Sequence, residues 1–350
     1  MRIGLYGMPA AGKTFILNQI DFMDVIAGSR FLREYDPMFD QRNKEEKEAD
    51  RKAIAQLLSE KEAFIMDGHY AFGDEIAFME ADGKMYDVFL YLYVAPQIIE
   101  ERMAKSEKNC KYLKYNITEW QANEITSLRT YCQENAKDFY VIDNPPENCF
   151  GDTSEIIEFI RGIITGYSCV TYARECANQI LQKSKGNTII LMDGDKTLTI
   201  EDSSNVVFGY KTHLFDGNFY TGYQAWRQTD EFKRYSFAEL HEMPVKLNKS
   251  VQSAITEDTY ILTSGHEKVW RFISKEIGVD CFGGIQMCAD TKYFITKFLQ
   301  SAGKKVIAYG DGMNDYFMLK QADEGYLISK SDGTVSRSLK GRDMEGITIV

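Results

Sequence analysis

The sequence predicts an α/β protein with two domains, each built on a doubly wound parallel sheet. In both halves of the chain, apolar strands alternate with helix-forming stretches, a pattern typical of parallel sheets. Several of these strands end in an acidic or hydroxyl residue, where ligand sites of such sheets lie. A chain of 350 residues is long enough for two cores. We place the joint near Gly166, which gives domains of residues 1–165 and 166–350.

The composition is that of an ordinary globular protein, with 44% hydrophobic and 27% charged residues. No apolar run has membrane-spanning length, and we expect no membrane partner. Seven cysteines without C-x-x-C pairs predict reduced thiols and a cytoplasmic location. The net charge of −11 favours small phosphorylated metabolites or nucleotides as substrates over nucleic acid, which would need a local basic groove.

A glycine-rich loop follows the first apolar strand, residues 2–6. Its sequence, residues 7–14, matches G-x-x-x-x-G-K-[ST], and apolar residues at helical spacing follow. Such a loop turns backbone N–H groups toward an anion, and the helix start adds a favourable dipole. We therefore predict an ATP site in which Lys13 contacts the β- and γ-phosphates and the Thr14 hydroxyl is a ligand of Mg²⁺. The residues expected to bind the nucleotide are Gly7, Ala10, Ala11, Gly12, Lys13 and Thr14.

Three more apolar strands are predicted in this half, at residues 63–67, 88–94 and 139–143. The polar run of residues 41–62 has apolar residues at helical spacing, which predicts a solvated helix. Together, the loop, Asp67-Gly68 after an inner strand and Arg102 beyond the strand 88–94 resemble the adenylate-kinase-type family of small P-loop kinases. The resemblance implies that Asp67 faces the phosphate acceptor and that Arg102 contacts the transferring phosphate.

The lid departs from that family, because its second arginine would fall at Ser106. Arg129, or one of four lysines spaced three apart, is a candidate replacement. The lysines form either one functional helical stripe or a solvated face. Arg30 and Arg33 are candidates for an acceptor phosphate, and His69 is expected to be structural. The four lysines are Lys105, Lys108, Lys111 and Lys114.

The second half contains an apolar run, residues 189–192, that ends in Asp193 and Asp195. In an extended chain, side chains two apart point to the same side. Two neighbouring ionised carboxylates are unfavourable unless they share a cation or one takes a proton. Taken alone, the pair would be interpreted as a polar turn after a buried strand, and only matching residues downstream favour a functional site.

Further polar groups follow later strands in this half. A strand at residues 259–262 leads to Ser264, and a strand at 304–309 leads to Asp311, Asn314 and Asp315. An amphipathic helix at residues 291–299 begins with Lys292. The sequence thus supplies a candidate nucleophile, a second acid, a hydroxyl, a cation and a further carboxylate pair.

This set, in this order, resembles the haloacid-dehalogenase-like phosphatases over about residues 185–335. The resemblance implies that Asp193 attacks phosphorus, that Asp195 is the general acid and base, and that Ser264 and Lys292 hold the phosphoryl oxygens. It also implies a Mg²⁺ site formed by Asp193, the backbone carbonyl of Asp195 and Asp311, supported by Asp315 and Asn314. Covalent catalysis of this kind divides one difficult step into two. Lys297 is the alternative to Lys292, and Lys196 is expected to point to solvent.

The spacing of these residues predicts a mainly helical cap at about residues 200–258, as in the phosphoserine-phosphatase-like branch. We expect most of its aromatic residues to form the cap's own core, with one or two closing over the substrate. These are Phe208, Tyr210, Phe215, Phe219, Tyr220, Tyr223, Trp226, Phe232, Tyr235 and Phe237.

Each half contains candidates for every role in its reaction, which favours a bifunctional enzyme: an ATP-dependent kinase of a small molecule or nucleotide joined to a Mg²⁺-dependent phosphomonoesterase. One alternative is a polynucleotide 5′-kinase/3′-phosphatase, because such an enzyme shares this domain order, although the acidic net charge counts against it. The other is a nucleotide-binding regulatory protein with one inactive head.

Overall fold

A computed structural model describes residues 1–143, 153–209, 219–233, 237, 239–330 and 332–350. The chain divides into two compact units, Met1–Gly166 and Tyr167–Val350, which are described separately below. Within the described ranges we find no helix with the length and apolarity that crossing a membrane requires.

The first unit contains a five-stranded parallel sheet in the order β2-β3-β1-β6-β7. Strand β1 lies in the middle of this order, and its Ile3 and Leu5 side chains are therefore fully buried. The chain leaves β1 toward β3 and later returns to pair β6 on its other side, so the sheet is wound in both directions. A two-stranded antiparallel hairpin, β4–β5, lies outside this sheet. The strands are β1 (Arg2–Tyr6), β2 (Val25–Ile26), β3 (Phe64–Asp67), β4 (Ala71–Phe72), β5 (Glu75–Ile76), β6 (Val88–Tyr93) and β7 (Asp138–Asp143).

Helices connect these strands. The predicted solvated helix is present as α3, and it begins with a capping box in which the Asn43 side chain and the Glu46 side chain bond each other's backbone N–H. The helices are α1 (Lys13–Leu17), α2 (Gly28–Tyr35), α3 (Lys44–Ser59), α4 (Glu80–Met85), α5 (Pro96–Ala104), α6 (Ile117–Glu134) and α7 (Ser154–Ile164), with 3₁₀ turns at Phe39–Gln41 and Cys110–Tyr112.

Of the two alternatives left open for the four lysines, the structure does not support the helical stripe. Helix α5 ends at Ala104, before the first of the four lysines, and only the short 3₁₀ turn Cys110–Tyr112 follows before α6. Side chains three apart share a helix face only where the backbone is helical. The four lysines therefore do not lie along one helical face.

The second unit contains a six-stranded parallel sheet in the order β10-β9-β8-β11-β12-β13. Strand β8 is central, with β9 on one side and β11 on the other, so this sheet is also wound in both directions. The strands are β8 (Thr188–Asp193), β9 (Thr259–Leu262), β10 (Asp280–Phe282), β11 (Lys305–Gly310), β12 (Glu324–Leu327) and β13 (Ile347–Ile349). The predicted fold class, α/β with two parallel sheets, is confirmed.

The helices of the second unit include three that lie between β8 and β9 in sequence, where the cap was predicted. A tight turn, Gly194–Leu198, joins β8 to this region. The helices are α8 (Cys169–Lys183), α9 (Ser203–Phe208), α10 (Gly222–Phe232), α11 (Lys249–Gln252), α12 (Glu267–Ile277), α13 (Ala289–Ser301) and α14 (Met313–Gln321), with a 3₁₀ turn at Arg337–Leu339.

Candidate functional sites

The glycine-rich loop lies between β1 and α1, at the carboxyl edge of the first sheet. Gly12 precedes α1 with a φ of 95°, a left-handed conformation that residues with a Cβ rarely adopt. Lys13 follows at once and is only 5% exposed. The glycine therefore turns the chain so that the lysine side chain lies within the loop.

The Lys13 ammonium donates hydrogen bonds to the carbonyl oxygens of Gly7, at 2.7 Å, and Met8, at 3.1 Å. Burial lowers the Lys13 pKa to about 8, while the nearby carboxylates of Asp67 and Glu124 act in the opposite direction. The loop thus encloses a cation that can be neutral or charged near physiological pH. A phosphate beside it would favour the charged form.

Asp67 ends β3, and its carboxylate Oδ1 accepts a hydrogen bond of 2.7 Å from the backbone N–H of Gly28, the first residue of α2. His69 Nδ1 lies 3.5 Å from the Lys13 ammonium, and its ring centroid lies 4.7 Å from that of Phe72. Burial, followed by the Lys13 charge, holds the His69 pKa well below its usual range. Asp67, His69 and Lys13 therefore meet at one place.

A cavity of about 640 Å³ opens over this group, a volume within the range of small-molecule sites. Its wall includes the predicted loop residues Ala10, Ala11, Gly12, Lys13 and Thr14, together with Asp67. Arg102 Nη1 lies 3.3 Å from the carbonyl oxygen of Ala10, so the predicted lid arginine reaches the loop.

The other candidate cations of this unit divide between the cavity and elsewhere. Lys108 and Lys111 line the cavity, as does Arg33, whose guanidinium bonds the Asp40 carboxylate at 2.8 Å. Arg30 bonds Glu34 on the same helix, and Arg129 is buried with its guanidinium 5.7 Å from the Phe139 ring centroid. The geometry thus favours the two lysines over Arg129 as replacements for the missing lid arginine.

Glu124, which sequence reasoning missed, is a buried carboxylate on α6. It accepts hydrogen bonds from the Ala71 backbone N–H at 3.0 Å, the Tyr91 hydroxyl at 2.7 Å and the Trp120 indole N–H at 3.0 Å. Burial raises its pKa. Three donors from separate elements explain how a carboxylate is retained there, and they attach the β4–β5 hairpin to the core. No sequence motif distinguishes this glutamate from the other acids of α6.

In the second unit, Asp193 ends the central strand β8, and its Oδ1 lies 2.6 Å from the ammonium of Lys292. Lys292 has no exposed surface and bonds Asp315 Oδ1 at 2.7 Å. Burial alone would lower the Lys292 pKa, but the two carboxylates raise it above its usual value. The lysine is therefore a permanently charged, buried bridge between the acids that follow β8 and β11.

Asp193, Asp311 and Asp315 form a cluster in which one carboxylate oxygen from each lies within 4.8 Å of the others. Burial and then the charge of Asp315 raise the pKa of Asp193 well above its usual range and that of Asp311 to about 7. Carboxylate oxygens are the donors that Mg²⁺ prefers, and a divalent cation would remove the repulsion that raises these pKa values. The donor set therefore fits Mg²⁺.

Asp195 lies within the turn Gly194–Leu198 that follows Asp193. Its Oδ1 accepts a 2.7 Å hydrogen bond from the backbone N–H of Ser203, and its Oδ2 accepts one of 3.2 Å from the Trp270 indole N–H. Burial, followed by the charge of Asp202, raises the Asp195 pKa to about 6. A carboxyl group with this pKa can both donate and accept a proton near neutral pH.

Trp270 on α12 was missed by sequence reasoning. Its ring packs so closely on Gly194 that a Cβ at that position would collide with it. The same ring is fully buried and holds the Asp195 carboxylate through its N–H. Trp270 and Asp195 are 75 residues apart in the chain, so no local sequence pattern indicates that they are hydrogen-bonded.

Ser264, after β9, lies at the wall of the same cavity. Its hydroxyl donates to the Met287 carbonyl oxygen at 2.8 Å and accepts from the Asn314 amide at 2.8 Å. The structure thus brings the predicted residues Asp193, Asp195, Ser264, Asp311, Asn314 and Asp315 to the wall of one cavity of about 1110 Å³.

The structure bears on two expectations about lysines, the choice between Lys292 and Lys297 and the orientation of Lys196. Lys297 lies with its ammonium 5.7 Å from the Tyr293 ring centroid, whereas Lys292 contacts the carboxylates. Lys196, expected to point to solvent, is half exposed but bonds Asp202 Oδ2 at 3.0 Å and lines the cavity. That expectation is therefore corrected: Lys196 neutralises an acid at the site.

The aromatic residues of the predicted cap divide between the cavity wall and packing against His266, a residue outside the cap, rather than forming only a core of the cap's own. Tyr220 and Phe232 line the cavity. Phe208, Phe232 and Phe237 surround the His266 ring at centroid distances of 4.9, 5.1 and 5.6 Å, which is a packing role. Tyr223 stacks on Trp226, and Phe219 is buried. Tyr210, Phe215 and Tyr235 lie outside the described residues.

The fold and the site define the second unit as a parallel-sheet domain with a lysine-bridged aspartate centre. The sequence model of the haloacid dehalogenase-like hydrolase family matches residues 171–340. This region is therefore a haloacid dehalogenase-like domain, and the resemblance inferred from its motifs is confirmed.

Solved structures are similar to each half of the chain. Shikimate kinase from Acinetobacter baumannii, in complex with shikimate, is 14% identical, covers 47% of this chain and 92% of its own, and has a TM-score of 0.35. A phospho-aspartyl intermediate analogue of phosphoserine phosphatase is 16% identical, covers 42% and 89%, and has a TM-score of 0.30. We draw no functional conclusion from likenesses of this size. A comparison with curated protein sequences returned no significant match.

Proposed function

We propose that the chain is a bifunctional phosphoryl-transfer enzyme, with an ATP-dependent kinase in residues 1–166 and a Mg²⁺-dependent phosphomonoesterase in residues 167–350. The observation that carries the proposal is the buried Lys292 bridge between Asp193 and Asp315, beside Asp311. Burying a lysine with two acids costs desolvation free energy that apolar residues in the same place would not cost. A catalytic site accounts for this arrangement, because such a site must hold an anionic phosphoryl group beside a carboxylate nucleophile.

In the phosphatase reaction, an Asp193 carboxylate oxygen attacks the phosphorus atom and forms an aspartyl-phosphate, while the bond to the alcohol oxygen breaks. Asp195, in its protonated form, donates the proton that the leaving oxygen requires. Asp195 then accepts a proton from water as the water oxygen attacks the same phosphorus atom. Inorganic phosphate is released and Asp193 is restored.

The remaining residues place the phosphoryl group. Lys292 would supply positive charge beside its oxygens, and the Ser264 hydroxyl would donate to one of them after turning from the Met287 carbonyl oxygen, while Asn314 holds the serine oxygen in place. Asp193, Asp311 and Asp315 would hold Mg²⁺ together with the backbone carbonyl of Asp195. When bound, the ion offsets the negative charge shared by the carboxylates and the phosphate.

In the kinase reaction, the loop of residues 7–14 binds the phosphates of ATP, and Lys13 contributes its charge to the transferring group. Asp67, at the edge of the same cavity, accepts the proton of the acceptor hydroxyl as that oxygen attacks the γ-phosphorus atom, and ADP leaves. Arg102, which donates a hydrogen bond to the Ala10 carbonyl oxygen of the loop, would stabilise the charge on the transferring phosphate. Thr14 would supply its hydroxyl to Mg²⁺.

The two activities are separable by single substitutions in the full chain. Asp193→Asn is expected to abolish hydrolysis of p-nitrophenyl phosphate while ATP binding is retained, because the nucleophile is lost. Lys13→Ala is expected to abolish ATP binding and transfer of labelled γ-phosphate to a mixture of hydroxylated metabolites, while hydrolysis is retained.

Matched lysine controls are available in each unit. Lys84→Ala removes an exposed cation of the first unit and Lys297→Ala a partly buried one of the second, and both variants should resemble the wild-type protein. Hydrolysis that survives Asp193→Asn, or ATP binding that survives Lys13→Ala, would show that the corresponding half of the proposal is wrong.

A further inference from the structure

The segment of residues 330–342, between β12 and β13, lies at the mouth of the phosphatase cavity. Four basic residues and one acidic residue occupy this segment, although the chain as a whole has a net charge of −11. All four cations line the cavity, namely Lys330, Arg337, Lys340 and Arg342. None of them belongs to the catalytic set described above.

This segment is attached to the catalytic loop. The Ser338 hydroxyl accepts a hydrogen bond of 3.1 Å from the backbone N–H of Met313, two residues from Asp311, and bonds the Ser336 hydroxyl at 2.9 Å. At its far end, the Asp343 carbonyl oxygen accepts a 2.8 Å bond from the Tyr316 hydroxyl of α14. These hydrogen bonds attach the part of the segment that carries Arg337 and Lys340 to the loop after β11 and to α14.

Several acids of the cavity wall already have a cation. Asp193 and Asp315 are buried and are bridged by Lys292, and Asp202 is bonded to Lys196. Arg337 and Lys340 are exposed, and within the described residues neither has an acidic side chain within ion-pairing distance. Holding exposed cations together without acids costs electrostatic free energy, which an anionic ligand would recover.

We propose that this basic segment is a second anion subsite, and that the phosphatase acts on small phosphomonoesters that carry a further phosphate group. This inference rests on the proposed phosphatase function and names its substrate class. One phosphate reaches Asp193, while the second is held at the mouth by Arg337 and Lys340. The planar guanidinium of an arginine can donate two parallel hydrogen bonds to a phosphate, and the lysine adds a second positive charge beside it. The volume of about 1110 Å³ accommodates such a ligand.

The test measures competition against hydrolysis of p-nitrophenyl phosphate, which has no second anionic group. Fructose 1,6-bisphosphate and adenosine 3′,5′-bisphosphate are each compared with the corresponding monophosphates as inhibitors of the full-length protein. We expect the bisphosphates to bind roughly tenfold more tightly, and the difference to shrink as salt is raised. In R337A/K340A the difference should fall to about twofold or less.

The matched control is K249A/K275A, which removes two exposed cations of the same unit that do not line the cavity. It should keep the tenfold preference. Bisphosphates that bind no better than monophosphates, or a preference that survives R337A/K340A, would overturn the proposal. So would an equal loss of p-nitrophenyl phosphate hydrolysis in R337A/K340A, because the segment would then act only by supporting the Met313 loop.

Two further measurements distinguish this proposal from a failure of the proposed phosphatase function and from a nucleic-acid substrate. Calorimetric titration of fructose 1,6-bisphosphate and its monophosphates into Asp193→Asn tests the subsite without turnover, so it remains decisive if the wild-type protein hydrolyses nothing. A 3′-phosphorylated oligonucleotide that binds far more tightly than either bisphosphate, and loses this advantage in R337A/K340A, would overturn a small-molecule substrate in favour of nucleic acid.

Discussion

The Lys292 ammonium lies 2.6 Å from Asp193 Oδ1, at a position where the lysine side chain has no exposed surface. The same ammonium lies 2.7 Å from Asp315 Oδ1. Breaking a buried ion pair leaves an uncompensated charge, whereas the intact pair contributes little net stability. This lysine should therefore influence both catalysis and folding.

Replacement of Lys292 by methionine, which preserves its volume, should destabilise the second unit by about 3–5 kcal/mol, because two buried carboxylates lose their cation. Hydrolysis of p-nitrophenyl phosphate should fall by at least about 100-fold. Urea unfolding and steady-state kinetics measure the two effects, and Mg²⁺ should recover part of the lost stability. Lys297→Met is the control and should behave like the wild-type protein. Similar effects in both variants would remove the special role assigned to Lys292.

The stabilising effect of Mg²⁺ should increase with pH. In the metal-free protein, burial and Asp315 raise the Asp311 pKa to about 7, above its unfolded value, so the folded state binds more protons and loses stability as pH rises between these values. Mg²⁺ binds the ionised carboxylates, so its effect on the melting temperature should be larger at pH 8 than at pH 6.

The substitution Asp311→Asn should remove most of this pH-dependent stabilisation. The control Asp280→Asn, at a half-exposed aspartate paired with Lys183, should leave it unchanged. A Mg²⁺ effect that is constant from pH 6 to pH 8, or that survives in Asp311→Asn, would contradict the assignment of the metal ligands.

Trp270→Phe should alter the pH profile of the phosphatase. The indole N–H stabilises the charged form of Asp195, so its removal should raise the Asp195 pKa, which burial already sets at about 6. Because the leaving group requires protonated Asp195, the alkaline limb of kcat should move to higher pH, and kcat should fall by about threefold to tenfold.

The control for this experiment is Trp226→Phe, which removes an indole N–H elsewhere in the same unit. A profile that does not move in Trp270→Phe, or one that moves equally in both variants, would show that the hydrogen bond to Asp195 does not tune the acid. Thermal unfolding of each variant separates this effect from a loss of folded protein.

ATP affinity should fall as pH rises above 8. Burial lowers the Lys13 pKa to about 8, and the triphosphate favours the charged lysine, so binding above this pH must take up a proton. The dissociation constant should then increase by up to about tenfold per pH unit. Calorimetry at pH 8.5 in two buffers of different ionisation enthalpy measures the proton uptake directly.

The comparison variant for proton uptake is Lys13→Met, in which any residual binding should not depend on pH. Lys84→Met, at an exposed lysine of the same unit, should retain the wild-type dependence. Binding of ATP without proton uptake at pH 8.5 would mean that Lys13 does not titrate in contact with the phosphates.

Sequence reasoning succeeded for features whose causes are local. The glycine-rich loop needs a strand, a left-handed Gly12 and a following helix, all within a short stretch of chain. It left two alternatives open for the lysines after residue 104, because a spacing of three predicts a shared face only if a helix continues, and the structure shows that this one ends at Ala104. Strands β12 and β13 were also missed, since four and three residues carry little periodic signal.

The sequence by itself determined which acids follow which strands, and parallel strands bring such residues to one edge of a sheet. That was sufficient to place Asp193, Asp311 and Asp315 in one site. The tertiary structure decided their electrostatics: Lys292 reaches Asp193 across 99 residues of chain, and Trp270 reaches Asp195 across 75. It also brought the basic segment 330–342 to the cavity mouth. These relationships depend on strand order and on how deeply each side chain is buried. Burial and neighbouring charges set the pKa of an ionisable group, and a local stretch of sequence predicts neither of them.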